Sequence, residues 1–485
     1  MIKDLENEIY KSRKNLNNIL VLFDYIDLSN HSIDEVNDAA AALCRVYCYL
    51  SRNGLLKRPK EDDSSANAQV KNWVCDNYIN YTEKLTEIFS MANVEALQVS
   101  FLTMTMRLCK AESQMDENGT FRNQFYIRFC LELLSSSQLS DICIKDFVTS
   151  YLVPYDDVRF FFYKNSKKVI SSLIESSKTD DPMANLDIVA FNTIRILSAI
   201  PSPLPSSSTS SWADEPSPSS TETSSIKRAF QESWLSALSL PLSVNLYKQV
   251  LNVIHKRVIP FLQKPNLLMD FLTDAYNSHH AVSLLALNGL FTLMISHNLD
   301  YPLFYPKLYA LLDRNLLYLK TRSRFFRLLD LFLSSTHLPA TLIASFIKRL
   351  ARLALTAPPG AIAIVIPFIY NCLQRHPTCM QMLHRSSAES GDSFDFDQPD
   401  PLLTGAIESS LWELSTLQNH YYSNIASLAS IMSQKFTKPR YELEDFLDHG
   451  YATMCDAELR RPLKNEPPIE FEKRTLASGL EKSWI

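Results

Sequence analysis

Residues 296–312 read SHNLDYPLFYPKLYALL, with a histidine, an aspartate, three tyrosines and two prolines in seventeen residues. That density of polar and aromatic groups suits either a catalytic loop or a corner where one helix stops and another begins. Upstream, AVSLLALNGLFTLMIS (281–296) carries Leu284, Leu287, Phe291 and Met294 on one helical face. Gly289 costs that helix about 1 kcal/mol relative to alanine, so a close helix–helix contact is expected there. His297 falls in the last turn, where a donor or cation suits the exposed carbonyls, and Asn298 can take the left-handed cap conformation. Pro302 and Pro306 cannot both lie inside one helix, so a turn precedes a helix starting near Pro306, with Leu308, Leu311 and Leu312 toward the core. Pairing His297 with Asp300 as base and orienter would need a nucleophile or substrate pocket, and the sequence supplies neither. The stretch reads as a corner.

The helical period continues on both sides of it. In AAAALCRVYCYL (39–50), Leu43, Val46, Tyr47 and Leu50 share a face, and residues 70–89 put Val70, Trp73, Val74, Tyr78, Tyr81 and Leu85 on another. Similar stripes run through 92–110, 119–135, 155–176 and 185–199, and no strand alternation bounded by turns interrupts them. Pro265, Pro306, Pro339 and Pro377 sit at first-turn positions, where a missing N–H costs nothing. They are 41, 33 and 38 residues apart, the interval of stacked helical hairpins. SRFFRLLDLFLSS (323–335) is apolar nearly all round after its first turn, as a helix enclosed on both sides would be. The fold expected is all-α, a HEAT-like helical-repeat solenoid.

Two segments break the pattern. PSPLPSSSTSSWADEPSPSSTETSS (201–225) has too little apolar surface to offset its ordering entropy and reads as a disordered linker. RSSAESGDSFDFDQPDP (385–401) reads as an acidic loop. The organisation expected is a helical repeat domain at 1–199, a Ser/Pro-rich linker at 200–225, a second helical domain at 226–459 and a tail at 460–485.

Composition narrows the chemistry. The 485 residues are 46% apolar and 21% charged, as in soluble globular proteins. No run is apolar enough to cross a bilayer, and the acidic N-terminus does not suit a signal peptide, so an intracellular protein with reduced thiols is expected. Only eight glycines are present, none closer than fourteen residues to the next, which leaves no clustered glycines to cradle a phosphate. There is no GxSxG elbow and no HExxH pair. No enzymatic activity, cofactor or metal is expected. Cys372, His376, Cys379 and His384 superficially form a zinc set. Their apolar setting, without turn-forming residues to present ligands, favours buried thiols and a capping histidine instead.

Charge is unevenly spread. Residues 226–360 hold 15 bases and 6 acids, a net of +9, whereas 1–225 carry −8 and 361–485 carry −6. Lys320, Arg322, Arg324 and Arg327, then Lys348, Arg349 and Arg352, fall on two successive expected helices. They are candidates for RNA phosphate or an acidic partner, against the plainer reading of a solvated face. Lys57, Arg58, Pro59 and Lys60 have the minimal shape of a nuclear import signal.

ALNGLFTLMISHNLDYPLFYPKLYALLD resembles the signature of the CCAAT-binding-factor/Mak-type domain of nucleolar complex proteins. RFFRLLDLFLSSTHLPATLIASFIKRLARLAL, NCLQRHPTCMQMLHR, LWELSTLQNHYYSNIASLA and YELEDFLDHGYATMCDAELRR follow in the same order, and the closing PPIEFE (467–472) adds to the likeness. The resemblance covers roughly residues 230–472 and makes His297, Asn298, Asp300, Tyr301, Pro302 and Tyr305 a family signature. HYYSN departs from the family's His-Tyr-His-Pro-like run, which leaves the turn after His420 open. The resemblance implies a nucleolar assembly factor of the small ribosomal subunit. Such a factor forms a heterodimer with nucleolar protein fourteen and joins other small-subunit processome proteins on pre-ribosomal RNA. The rival readings are a DNA-binding transcription factor, for which no base-reading helix is evident, and a cytosolic helical adaptor.

Overall fold

The computed structural model describes residues 2–27, 31–58, 66–91, 95–115, 119–176, 183–204, 210–215, 221–278, 280–297, 303–319, 321–335, 337–384 and 392–462. Among these the chain is helical, with a single isolated bridge between Tyr155 and Ser210. It forms two compact units, one through Asp300 and one from Tyr301. No described helix is long and apolar enough to cross a membrane.

In the first unit the α-helices run α1 (Ile2–Lys11), α2 (Asn18–Asp24), α3 (Ile33–Arg52), α4 (Ala66–Met91), α5 (Glu95–Gln114), α6 (Asn123–Ser135) and α7 (Asp141–Asp146). They continue with α8 (Asp156–Ser176), α9 (Met183–Ala199), α10 (Thr223–Leu238), α11 (Val244–Val253), α12 (Met269–Asn277) and α13 (His280–His297). The start of α3 is set by a capping box, in which Ser32 and Glu35 each satisfy the other's backbone N–H. Its expected face, Leu43, Val46, Tyr47 and Leu50, is buried. On α4 the buried stripe is Val74, Tyr78, Tyr81 and Leu85, while Val70 is exposed at the helix start. The Tyr81 hydroxyl donates to the Ala40 carbonyl (2.8 Å), tying α4 to α3.

The expected approach at Gly289 is present. A Cβ there would lie 2.8 Å from Cδ2 of Leu272 on α12. The one-sided face expected for α13 gives way to burial from Val282 through Leu290, because α11 and α12 both pack against it.

The Ser/Pro-rich segment corrects the expectation of a free linker. Its described middle, 210–215, is tethered by buried Asp157 at the start of α8. The Trp212 and Ala213 N–H groups (both 2.9 Å) and the Ser211 hydroxyl (3.0 Å) donate to that carboxylate. The Trp212 indole N–H donates to the Met106 carbonyl of α5 (3.2 Å). Beyond the segment, α10 packs along α8, with Ser166 and Ser233 hydroxyls 2.8 Å apart and Tyr163 and Phe230 rings 5.4 Å apart. The two compact units divide at 300/301. Residues 205–209 and 216–220 lie outside the described residues.

The second unit comprises α14 (Phe304–Ala310), α15 (Arg314–Tyr318), α16 (Arg322–Phe332), α17 (Ala340–Ala354), α18 (Pro359–Arg375), α19 (Trp412–Leu417), α20 (Ser423–Ser430), α21 (Glu444–Leu447) and α22 (Tyr451–Leu459). Pro306 lies in the first turn of α14, Pro339 caps α17 and Pro377 opens a 3-10 turn, as the missing N–H favours. Leu308 and Leu312 enter the core and Leu311 is half-buried. On α16, Phe325, Phe326, Leu329 and Phe332 are buried but Leu331 is exposed, so this helix packs on one side only.

Candidate functional site

The basic residues of α16 and α17 were the natural candidates for an exposed patch, and the structure pairs most of them with other segments of the same chain. Lys348 and Arg352 are one turn apart on α17. The Lys348 side chain is fully buried, with Nζ 2.8 Å from Glu413 Oε1, 3.0 Å from Asp392 Oδ2 and 2.6 Å from the Ser410 carbonyl. Arg352 pairs with Asp392 and, through Nε, with Glu413 (3.0 Å), and its guanidinium lies 4.7 Å from the Trp412 ring centre. Two cations and two carboxylates thus form a charge-balanced cluster, which makes their burial tolerable.

Environment separates the two carboxylates. Burial opposes ionisation of Asp392, but hydrogen bonds from Ser409, Trp412 and Lys348 outweigh it and hold its pKa at about 2. Burial raises the pKa of Glu413, against the pull of Lys348. Arg349, beside them, donates to the Leu312 (2.8 Å) and Phe396 (3.0 Å) carbonyls and stacks on the Tyr309 and Phe396 rings. The expected acidic loop is docked over its described part, 392–401, with Phe394 buried.

The bases of α16 meet a second segment of the same chain. Arg327 makes a bidentate pair with Glu444 (2.7 Å for both contacts), and Arg322 donates to the His449 carbonyl (2.8 Å). Ser323 donates to the Leu447 carbonyl (2.8 Å). Arg324 is half-buried, which lowers its pKa, and Lys320 lies outside the described residues. Gly360, at the start of α18, lets this segment come close: a Cβ there would be 2.4 Å from the His449 carbonyl oxygen. Most of the expected basic patch is thus held in two intramolecular clamps. Phosphate would have to break buried or bidentate pairs to reach most of these bases.

The other candidates have structural places. His297 ends α13 and is exposed; Asn298, Asp300, Tyr301 and Pro302 lie outside the described residues, and the Tyr305 hydroxyl donates to the Phe332 carbonyl (3.3 Å). Cys372 is buried, which pushes its thiol up to about 12. His376 bonds the Leu333 carbonyl (3.1 Å), Cys379 donates to the Ala340 carbonyl (3.6 Å), and His384 is exposed. Among the described residues no group of three or more His, Cys, Asp or Glu side chains is placed to hold a metal ion. Lys57 and Arg58 are exposed, with Arg58 facing Asp76 (3.3 Å), while Pro59 and Lys60 lie outside the described residues. The turn left open after His420 is closed by the Tyr422 N–H donating to His420 Nδ1 (3.1 Å).

What the clamps leave outward includes several large apolar side chains. Helix α22 has no buried residue, and Tyr451 and Leu459 are 63% and 83% exposed. Tyr421, ahead of α20, is 83% exposed. Between α20 and α22 lies a hollow of about 150 Å³, lined by Ile425, Leu428, Phe446 and Met454 among others. Sequence reading singled out the bases and missed their partners Asp392, Glu413 and Glu444. The signal was the acidic run that follows the basic block.

A helical-repeat unit joined to a second helical unit that clamps its own charges and presents aromatic surface is the build of a scaffold that binds other proteins. Residues 1–176 match the family described as nucleolar complex protein 4-like, TPR repeats, and residues 283–429 match the CBF/Mak21 family. The chain is 37% identical to nucleolar complex protein 4 of Saccharomyces cerevisiae, over 90% of this chain and 85% of that protein. It is 33% identical to the Xenopus laevis homolog B (97% and 92% covered) and 34% identical to the Homo sapiens homolog (92% and 89% covered). The chain belongs to the nucleolar complex protein 4 family, and with it to the nucleolar proteins of ribosome biogenesis. The helical repeats of residues 1–176 are of the TPR kind, within the all-α solenoid class expected.

Proposed function

We propose that the chain is a non-enzymatic scaffold of the small-subunit processome. In this reading it heterodimerises with nucleolar protein fourteen and supports pre-ribosomal RNA processing and 40S maturation and export. The observation that carries the reading is α22. A nine-residue helix is too short to be stable alone in water. Its exposed Tyr451 and Leu459, and Tyr421 ahead of α20, are the aromatic and apolar anchors that interface centres favour. A stable partner covering α20 and α22 would bury this surface. The pairing of Arg322, Arg327, Lys348, Arg349 and Arg352 within the chain supports a protein partner over direct RNA contact through these bases.

Co-expression with nucleolar protein fourteen, followed by size-exclusion chromatography with light scattering, tests it. A 1:1 complex is expected, lost in the Tyr421→Asp/Tyr451→Asp double variant while the circular dichroism spectrum is unchanged. A complex that survives the double change, or none with the native chain, refutes the reading.

A further inference from the structure

The first unit is acidic in sequence, yet one groove in it is not. Between α3 and α5 lies a cavity of about 600 Å³ whose lining includes Arg45, Arg52, Arg107 and Lys110 and no acid. Arg45 is held by a bidentate pair with Glu6 (2.7 Å for both contacts). Arg52 and Arg107 are exposed and have no hydrogen-bond or ion-pair partner among the described residues. Lys110 lies over the Trp212 ring, 4.9 Å from its centre. The opposite wall holds Tyr49, 41% exposed and packed edge-on against Tyr10.

We propose that this groove docks a short acidic peptide segment of a partner protein. Guanidinium forks such as those of Arg52 and Arg107 match carboxylates in two-point geometry. The tyrosine and tryptophan walls take the intervening side chains. Charge range favours a peptide over RNA. At physiological salt a ligand feels charges within roughly 8 Å, so a short segment meets only the bases. A longer polyanion would run out over a region, residues 1–225, that holds 22 bases against 30 acids. The assignment goes beyond the scaffold reading and does not depend on which protein covers α22.

The groove contains its own reporter. Cys48, on its floor, is half-buried, and beside the Cys44 thiol and the Arg52 and Arg107 guanidiniums its pKa falls to about 7. Of the nine cysteines only Cys455 is fully exposed, so a full-length Cys455→Ser chain alkylates first at Cys48.

The experiment titrates that chain with a fluorescent ten-residue Glu/Asp peptide containing one leucine and one tyrosine, read by anisotropy and by the rate of Cys48 alkylation. Saturable binding and at least fivefold slower alkylation are expected, with affinity reduced at least tenfold in Arg52→Ala/Arg107→Ala. Neither residue has a hydrogen-bond or ion-pair partner to lose among the described residues, so an unchanged thermal melt is expected of that variant. Arg228→Ala, on α10, is the control and keeps native affinity. Absent binding, unprotected Cys48, an unaffected double variant, or displacement of the peptide by a lower concentration of ten-nucleotide oligo-U each overturns the proposal, the last in favour of RNA.

Discussion

Lys348→Met removes one of four charges from the α17 cluster and leaves Glu413, with no exposed side-chain surface, and Asp392 sharing Arg352 alone. Breaking a buried pair by deleting one partner costs roughly 3–5 kcal/mol. Here about 3 kcal/mol is expected, because Arg352 remains and Glu413, already raised by burial, can take up a proton. Glu413→Leu alone strands Lys348 with Asp392 and costs a similar amount. The double variant Lys348→Met/Glu413→Leu leaves a balanced Arg352–Asp392 pair and is expected within about 1 kcal/mol of the native chain. The coupling energy of the cycle is then about 5 kcal/mol, outside the usual 0.5–3 range, because each single change leaves a buried charge behind. Urea unfolding, with hydrogen exchange of residues 392–413 as the local readout, measures it. A Lys348→Met cost below about 0.5 kcal/mol, or a double variant as unstable as the two single changes added together, refutes the reasoning. The clamp also depends on acid. Asp392 falls from the usual 3.8 to about 2 in the fold, so its stabilisation, about 1 kcal/mol once solvent screening of this partly exposed group is allowed for, is present above roughly pH 4 and lost as pH falls toward 2. Glu413, with its pKa raised, acts the opposite way and partly offsets that loss.

Asp157→Ala orphans the N–H groups of Trp212 and Ala213 and the Ser211 hydroxyl. It is expected to cost about 3 kcal/mol and to open 210–215 to limited proteolysis; unchanged resistance refutes the tether. Gly360→Ala drives a Cβ into the His449 carbonyl. A cost of about 1–3 kcal/mol and faster exchange over 444–449 are expected, and a neutral melt would show the approach to be loose. In the Cys455→Ser chain the alkylation rate is expected to rise with pH about a midpoint near 7 at Cys48, whereas a midpoint near 9 would mean that the Cys44 thiol, with Arg52 and Arg107 beside it, does not lower it.

The end of one helix at His297 and the start of the next at Phe304 were legible because proline and helical period are local properties. Pro302 and Pro306 forbid one continuous helix whatever surrounds them, and α13 and α14 lie on either side. Gly289 was legible for the same reason, as a helix interior that accepts glycine must gain from closeness. Amphipathic faces were read less well. Val70 and Leu331 sit on apolar stripes yet are exposed, because a stripe says which residues could be buried and not how far a neighbour extends. The Ser/Pro-rich segment misled most. Its composition is that of a linker, but one tryptophan and one buried aspartate 55 residues away hold its middle in place.

Charge marks the boundary between what the sequence by itself determined and what only the tertiary structure decided. The sequence determined an all-α chain with a basic block at 320–352 and acidic runs after it, since helical period and charge sign are carried residue by residue. Where those charges went was settled by packing. Lys348 met Glu413 across 65 residues and Arg327 met Glu444 across 117. A base with a free face and a base with a buried carboxylate look alike in sequence. Only the folded chain fixes the distance and desolvation that make one a docking surface, as at Arg52 and Arg107, and the other a clamp.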